Sequence, residues 1–239
     1  MSQLKRDAAV GHEQVRAFYD EEYYADADGF ARAPWHVRKI ADRLGDFQGR
    51  SVLDVACGTG VWLHELAQRG ANVSGIDISS RAVETCRKHL PWADIREGVA
   101  ESLPFDSDSI DLVTCLGSLE HFLDQRKALE EMRRVARPNA KFLILVPNAG
   151  FLTRRLGLYA GTAQVAVKET VRRLEEWEEL FESARLQVTT RWRDLHPLAL
   201  QWIALGTPWA WPVRAAQAVA LTMWPISWQY QVYFFCEKR

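Results

Sequence analysis

Cysteine is scarce and scattered. The 239-residue chain has four, Cys57, Cys86, Cys115 and Cys236, with no CxxC pair among them. That spacing excludes a disulfide framework and a cysteine zinc site, so no metal is expected, and it suits a reducing compartment. An excess of either charge is also missing. Thirty Lys and Arg face thirty-one Asp and Glu, a net charge of -1. A domain that grips duplex nucleic acid normally carries a basic excess, so no nucleic-acid partner is expected. No run of about 20 apolar residues occurs, which leaves no transmembrane segment to expect. The opening MSQLKRDAAVGHEQ lacks the apolar core and small-residue cleavage site of a signal peptide, and a cytoplasmic protein is expected. Gly/Ser linkers, repeats and low-complexity tracts are absent as well, and the length favours one compact core.

What is present is alternation. Short apolar runs bounded by Gly, Pro, Asp or Ser predict strands at 51–55, 72–76, 94–97, 110–116 and 141–146. Helical patterns lie between them, at 61–68, at 80–90 with Ser79 or Ser80 as cap, and at 124–136 with Pro138 as its stop. A charged helix is read from near Glu169 to Ala184, with pairs such as Arg172–Glu176 on a solvated face, followed by strands at 186–192 and 229–236. Strand–helix–strand repetition at this spacing predicts an α/β fold, doubly wound, with a mostly parallel seven-stranded Rossmann-like sheet and helices on both faces.

The first strand runs into Asp54-Val55-Ala56-Cys57-Gly58-Thr59-Gly60. Glycines at such a turn let a ligand approach the backbone, because no Cβ blocks it and positive φ costs little. The bland reading is a tight strand–helix connection without a ligand. Context favours the ligand. The second strand ends in Gly75-Ile76-Asp77-Ile78-Ser79, which places Asp77 to accept hydrogen bonds from both hydroxyls of a ribose. A dinucleotide fold asks for a third glycine where Leu63 stands, and a carboxylate at Asp54 repels a pyrophosphate but suits an ammonium and a sulfonium. Both features favour S-adenosylmethionine over NAD.

These segments, followed by Gly98-Val99-Ala100-Glu101-Ser102-Leu103-Pro104-Phe105, Ser109-Ile110-Asp111-Leu112-Val113, Leu119-Glu120-His121-Phe122, Arg134-Val135-Ala136-Arg137-Pro138 and Val146-Pro147-Asn148, resemble class I S-adenosylmethionine-dependent methyltransferases. The nearest subgroup in appearance contains ubiquinone and other small-molecule O- and N-methyltransferases. The resemblance implies that Asp54, Ala56, Gly58 and Gly60 line the methionine end of S-adenosyl-L-methionine. It implies further that Asp77 holds the ribose, Ile78 packs on the adenine, and Leu116 covers the cofactor beside the methyl group. The family's usual Gly-Asp-Ala reads Gly98-Val99-Ala100 here, and Val99 cannot accept a bond from the adenine amino group. Either the Ala100 backbone and Glu101 take over adenine recognition or that contact is lost.

Methyl transfer is an in-line displacement, so the protein chiefly aligns a nucleophile and manages its proton. His121 is the candidate catalytic base, its pKa lying near working pH; the bland reading is that Glu120-His121 opens the next helix. Phe18-Tyr19-Asp20 and Tyr23-Tyr24 resemble the family's aromatic leader, which makes residues 1–48 a helical cofactor lid and 49–239 the methyltransferase domain. Arg38 is a candidate partner for the cofactor carboxylate, or else lies on a solvated helix face. The cysteines read as buried small hydrophobes.

One segment stands apart. From Leu195 to Phe235 the only charged side chain is Arg214, and six of the ten tryptophans follow residue 190. An insertion at about 194–228 is expected, with one helix at 213–224. Three roles are open to it: a cap that, with 150–167, makes an apolar pocket for a small or lipid-like acceptor; a homodimer interface; or a peripheral membrane contact. The cap is favoured. Overall the sequence reads as an enzyme that methylates an O or N nucleophile of a small apolar molecule. The rival is a catalytically inactive cofactor-binding partner protein.

Overall fold

The structure is a computed structural model that describes residues 3–25, 32–157, 169–204 and 207–239, with the side chains of 3–10 and 201 set aside. Seven strands form one sheet: β1 (Ser51–Val55), β2 (Asn72–Asp77), β3 (Asp94–Glu97), β4 (Ile110–Leu116), β5 (Ala136–Pro147), β6 (Leu186–Arg193) and β7 (Gln231–Lys238). Their order across the sheet is β3-β2-β1-β4-β5-β7-β6, and only β7 runs against its neighbours.

Alternation along the strands divides the core. Leu53, Val113, Phe142 and Ile144 belong to one buried cluster, while Val52, Leu112, Leu143 and Leu145 belong to another. Successive side chains point to opposite faces of a sheet, so these strands are buried on both. The first cluster takes in residues of α5 (Gln125–Val135) and α7 (Leu174–Ser183). The second takes in α2 (Trp35–Leu44), α3 (Val61–Ala67) and α4 (Ser80–His89). Ser79 caps α4, its hydroxyl accepting from the Ala82 N–H at 3.1 Å, and Asp124 caps α5 by accepting from the Lys127 N–H at 2.9 Å.

Helix α5 ends at Val135, within one residue of the expected limit and ahead of Pro138, and β5 follows at once. In a continued helix the Pro138 ring would clash with the carbonyl of Arg134, so the turn must end before it. Helix α7 begins at Leu174, not near Glu169. Arg172 sits in a β-bridge to Asn148, and its Nε donates to Gln125 Oε1 at 3.0 Å, so the Arg172–Glu176 pair does not form. Glu176 instead accepts from the Arg173 N–H at 2.7 Å and closes the first turn of α7.

Parallel strands put all their carboxyl ends on one edge, and the accessory segments gather there. Helix α1 (Gln3–Phe18) passes into a wide π-type turn, Tyr19–Tyr23. The segment between β6 and β7 contains the short turns His196–Leu198, Pro208–Ala210 and Ile226–Trp228 with helices α8 (Leu200–Ile203) and α9 (Trp211–Met223), α6 being Leu152–Arg155. It is tied down at its base. Arg193 donates to the Trp224 carbonyl at 2.8 Å, Asn148 Nδ2 to those of Ser227 and Gln229 at 2.9 and 3.1 Å, and the His196 ring lies 5.2 Å from that of His36 on α2. Its outer side is apolar and open: Trp209 is 91% exposed, Leu200 and Met223 each 81%. Arg214 folds inward, its guanidinium 4.3 Å from the Trp202 ring. No helix among the described residues is long and apolar enough to cross a membrane.

Candidate active site

The turn after β1 is built by backbone conformations that its sequence permits. Ala56, Gly58 and Gly60 have φ of 62°, 54° and 85°. Ala56 takes this left-handed conformation despite its Cβ, a local strain placed at the edge of the cleft. A Cβ on Gly58 would lie 2.7 Å from the Tyr24 hydroxyl, so the glycine lets the leader close against the turn. A Cβ on Gly60 would lie 2.4 Å from Cys86 Sγ, so Gly60 serves the packing of α3 against α4. It forms no part of the cleft wall, contrary to the expectation that it lines the methionine end.

Asp77 is the pivot. Its Oδ2 accepts from the Gly58 N–H at 2.8 Å and its Oδ1 from the Ser79 N–H at 2.9 Å. Each oxygen keeps a further lone pair for a ligand. Burial raises the Asp77 pKa, and those backbone bonds oppose the rise. Asp54, buried one strand over, accepts from Thr114 Oγ1 at 2.6 Å, and the Trp62 indole donates to the same hydroxyl at 3.2 Å. Burial pushes Asp54 up to about 7.

Two cavities open along this edge. The first is lined by Asp77, Ile78, Gly98, Val99, Ala100 and Glu101 with His12, Val15 and Phe122. A carboxylate at one end and apolar walls beyond it fit a nucleoside, the ribose at Asp77 and the base among Ile78, Val99 and Ala100. The second is lined by Asp54, Cys57, Gly58, Thr59 and Leu116 with Tyr23, Val37, Val61 and Trp62. Tyr19, Tyr24, Ala56, Ser118 and His121 border both. Leu119–His121 forms a short 3-10 turn, and the next helix starts only at Gln125, so His121 does not open that helix. Its Nδ1 is buried without a hydrogen-bond partner, its Nε2 lies 3.9 Å from Glu169 Oε1, and burial lowers its pKa. The neighbouring Glu120 carboxyl is pushed up to about 7 by burial and by Glu169.

Most of the sequence-derived residues converge here: Asp54, Ala56, Gly58, Asp77, Ile78, Ala100, Glu101, Leu116 and His121 all border a cavity. Arg38 does not. It is exposed on α2, where its carbonyl accepts from Arg69, and α2 contributes Val37 to the cleft instead. Glu101 is already engaged, its Oε1 accepting from the Asp124 N–H at 3.1 Å and its Oε2 3.4 Å from His12 Nε2. Sequence reasoning missed His12, Ser118, Trp62 and Thr114. For Thr114 a signal existed, a polar residue inside the otherwise apolar run of β4. The cysteines are buried and unbridged; a hydrogen bond to Cys86 and then burial push Cys57 up, and burial does the same for Cys115. Residues 194–228 supply no lining to either cavity, and 158–167 of the expected acceptor pocket fall outside the described residues.

Known proteins resemble this chain. A family described as a methyltransferase domain matches residues 53–144. A ubiquinone biosynthesis O-methyltransferase of Paracidovorax citrulli is 32% identical over 188 residues, 69% of this chain and 75% of that protein. The chain belongs to the class I S-adenosylmethionine-dependent methyltransferases. A second ubiquinone biosynthesis O-methyltransferase, from Alkalilimnicola ehrlichii, is 29% identical over 68% of this chain and 67% of its own length. Among solved structures, a putative methyltransferase from Haloferax volcanii, solved with the Trm112 methyltransferase activator, has the same fold. Its TM-score is 0.71 at 23% identity, covering 93% of this chain and 96% of that one. This methyltransferase is therefore an enzyme with S-adenosylmethionine as its cofactor, and the partner-protein rival falls away.

Proposed function

We propose that this methyltransferase moves the methyl group of S-adenosylmethionine to an oxygen nucleophile of a small, apolar, ring-bearing molecule, with His121 as general base. The shared wall carries the reading: His121 borders the nucleoside cavity and the aromatic-lined cavity beside it. When bound, the cofactor supplies an electrophilic methyl carbon on a sulfonium leaving group. Asp77 would hold its ribose, Ile78, Val99 and Ala100 its base, and Asp54 its charged methionine end.

The remaining task falls to the chain. A hydroxyl must lose its proton as it attacks, and burial keeps the His121 imidazole neutral and able to accept it. Tyr23, Val37, Val61, Trp62 and Leu116 offer an apolar acceptor rings and aliphatic surface, and the leader excludes water. Relatives named ubiquinone biosynthesis O-methyltransferases favour oxygen over nitrogen. Four reduced cysteines suit the cytoplasm.

The test is release of S-adenosylhomocysteine across a panel of hydroxylated aromatic acceptors of increasing apolar chain length. His121→Gln should lower kcat by about 10²–10⁴, far more than it weakens S-adenosylhomocysteine binding. Undiminished kcat in that variant removes His121 as base; turnover with amines alone replaces oxygen by nitrogen.

A further inference from the structure

The leader carries three acidic residues in a row, Asp20, Glu21 and Glu22. Glu21 and Glu22 face solvent, whereas Asp20 is half-buried and turned inward. Its Oδ1 accepts from Ser79 Oγ at 2.6 Å and from the Arg81 N–H at 3.3 Å, and its Oδ2 accepts from Ser80 Oγ at 3.1 Å. Arg81 returns the contact, its Nη1 donating to the Ala25 carbonyl at 2.9 Å. The whole first turn of α4 thus holds the leader. The carboxylate also sits at the positive end of that helix, where its charge is favoured.

Ser79 joins this contact to the ribose site. Its N–H donates to Asp77 Oδ1 and its hydroxyl donates to Asp20 Oδ1, while the same hydroxyl accepts from the Ala82 N–H. One residue therefore touches both carboxylates. The wide turn Tyr19–Tyr23 places Asp20 between Tyr19 and Tyr24, the two leader rings that border both cavities. Were the leader to lift, Tyr19, Tyr24, Val15 and His12 would leave the nucleoside cavity together.

We propose that Asp20 is a positioning residue that latches the aromatic leader over the nucleoside and couples leader closure to occupancy of Asp77. The inference rests on the nucleoside reading of the first cavity. The coupling has a physical cause. Asp20 and Asp77 are like-charged neighbours across Ser79, and their repulsion raises the Asp77 pKa beyond what burial alone does. Two ribose hydroxyls donating to Asp77 would spread that charge, so an occupied site would hold the latched leader more firmly than an empty one. Two further carboxylates near the end of β3 face the leader, Glu97 paired with Arg16 of α1 at 3.2 Å and Glu101 3.4 Å from His12.

The experiment uses the full chain with S-adenosylhomocysteine, measuring affinity, dissociation rate and chymotryptic cleavage at Phe18, Tyr19, Tyr23 and Tyr24. In the wild type, saturating ligand should protect the leader. Asp20→Ala should bind about tenfold more weakly, almost wholly through faster dissociation, and should lose the protection even when saturated. Asp20→Asn keeps one acceptor oxygen for Ser79 and should fall between, which also covers a failure of the alanine variant to fold. Ser80→Ala should weaken binding in the wild type but add nothing to Asp20→Ala. Failure of the wild type to bind overturns the nucleoside reading itself. Wild-type binding with equal affinity, dissociation and cleavage in Asp20→Asn and Ser80→Ala overturns the latch and leaves the cofactor assignment standing.

Discussion

At Asp54 a carboxyl group lies inside the apolar end of β1, and burial holds its pKa at about 7 against the pull of the Thr114 hydroxyl. Below that pH the group is largely protonated in the free protein. The ammonium at the amino-acid end, common to the cofactor and S-adenosylhomocysteine, favours the carboxylate, so binding should drive the proton off. S-adenosylhomocysteine affinity should therefore rise as pH increases from about 5 to about 7 and level off above. Calorimetric titration at pH 6 in buffers of different ionisation heat should show proton release, abolished by Asp54→Asn; proton uptake would contradict the assignment. The place of Asp77 at the tip of β2 was legible, because the apolar strand pattern stops there. The placement of Gly60 and Arg38 was not legible, because it is set by neighbours remote in sequence, Cys86 for one and the solvent side of α2 for the other.

Elements at the carboxyl edge are joined by a few polar contacts, and one of these responds to pH. His36 on α2 is pushed down to about 4 by burial and by His196 of the insertion. The unfolded chain binds its proton near the ordinary value of about 6.5. Between those two values the unfolded state holds more protons than the native one, so stability is lost as pH falls from about 6.5 to about 4. The melting temperature should decline over this window, and His36→Gln should flatten the decline; an unchanged slope would mean that the ring is not held neutral. Composition alone marked the insertion as unusual, since a stretch with one charged residue cannot be an ordinary solvated loop. Its place could not be read, because docking depends on His196 meeting α2 and Asn148 reaching Ser227, contacts between distant parts of the chain.

For the molecule as a whole, the strand predictions at β1, β3 and β4 agree with the observed limits. Of these, β1 and β4 are buried on both faces and read as apolar runs cut off by turn-forming residues, whereas β3 is an edge strand in which only Ile95 is buried. The order of the strands, and the insertion of antiparallel β7 between β5 and β6, have no local signature, since pairing is decided by contacts far apart in the chain. The start of α7 was misplaced for a similar reason: charge density suggested a helix from Glu169, but the bridge between Arg172 and Asn148 claims the backbone first. The central claim is that the nucleoside of S-adenosylmethionine lies across the tips of β1 and β2 with its sugar on Asp77. A crystal structure of the chain with S-adenosylhomocysteine tests it most directly. Both ribose hydroxyls should lie within hydrogen-bonding distance of the Asp77 carboxylate, with the adenine between Ile78 and Val99. A nucleoside bound elsewhere, or this cavity empty at saturating ligand, would contradict it.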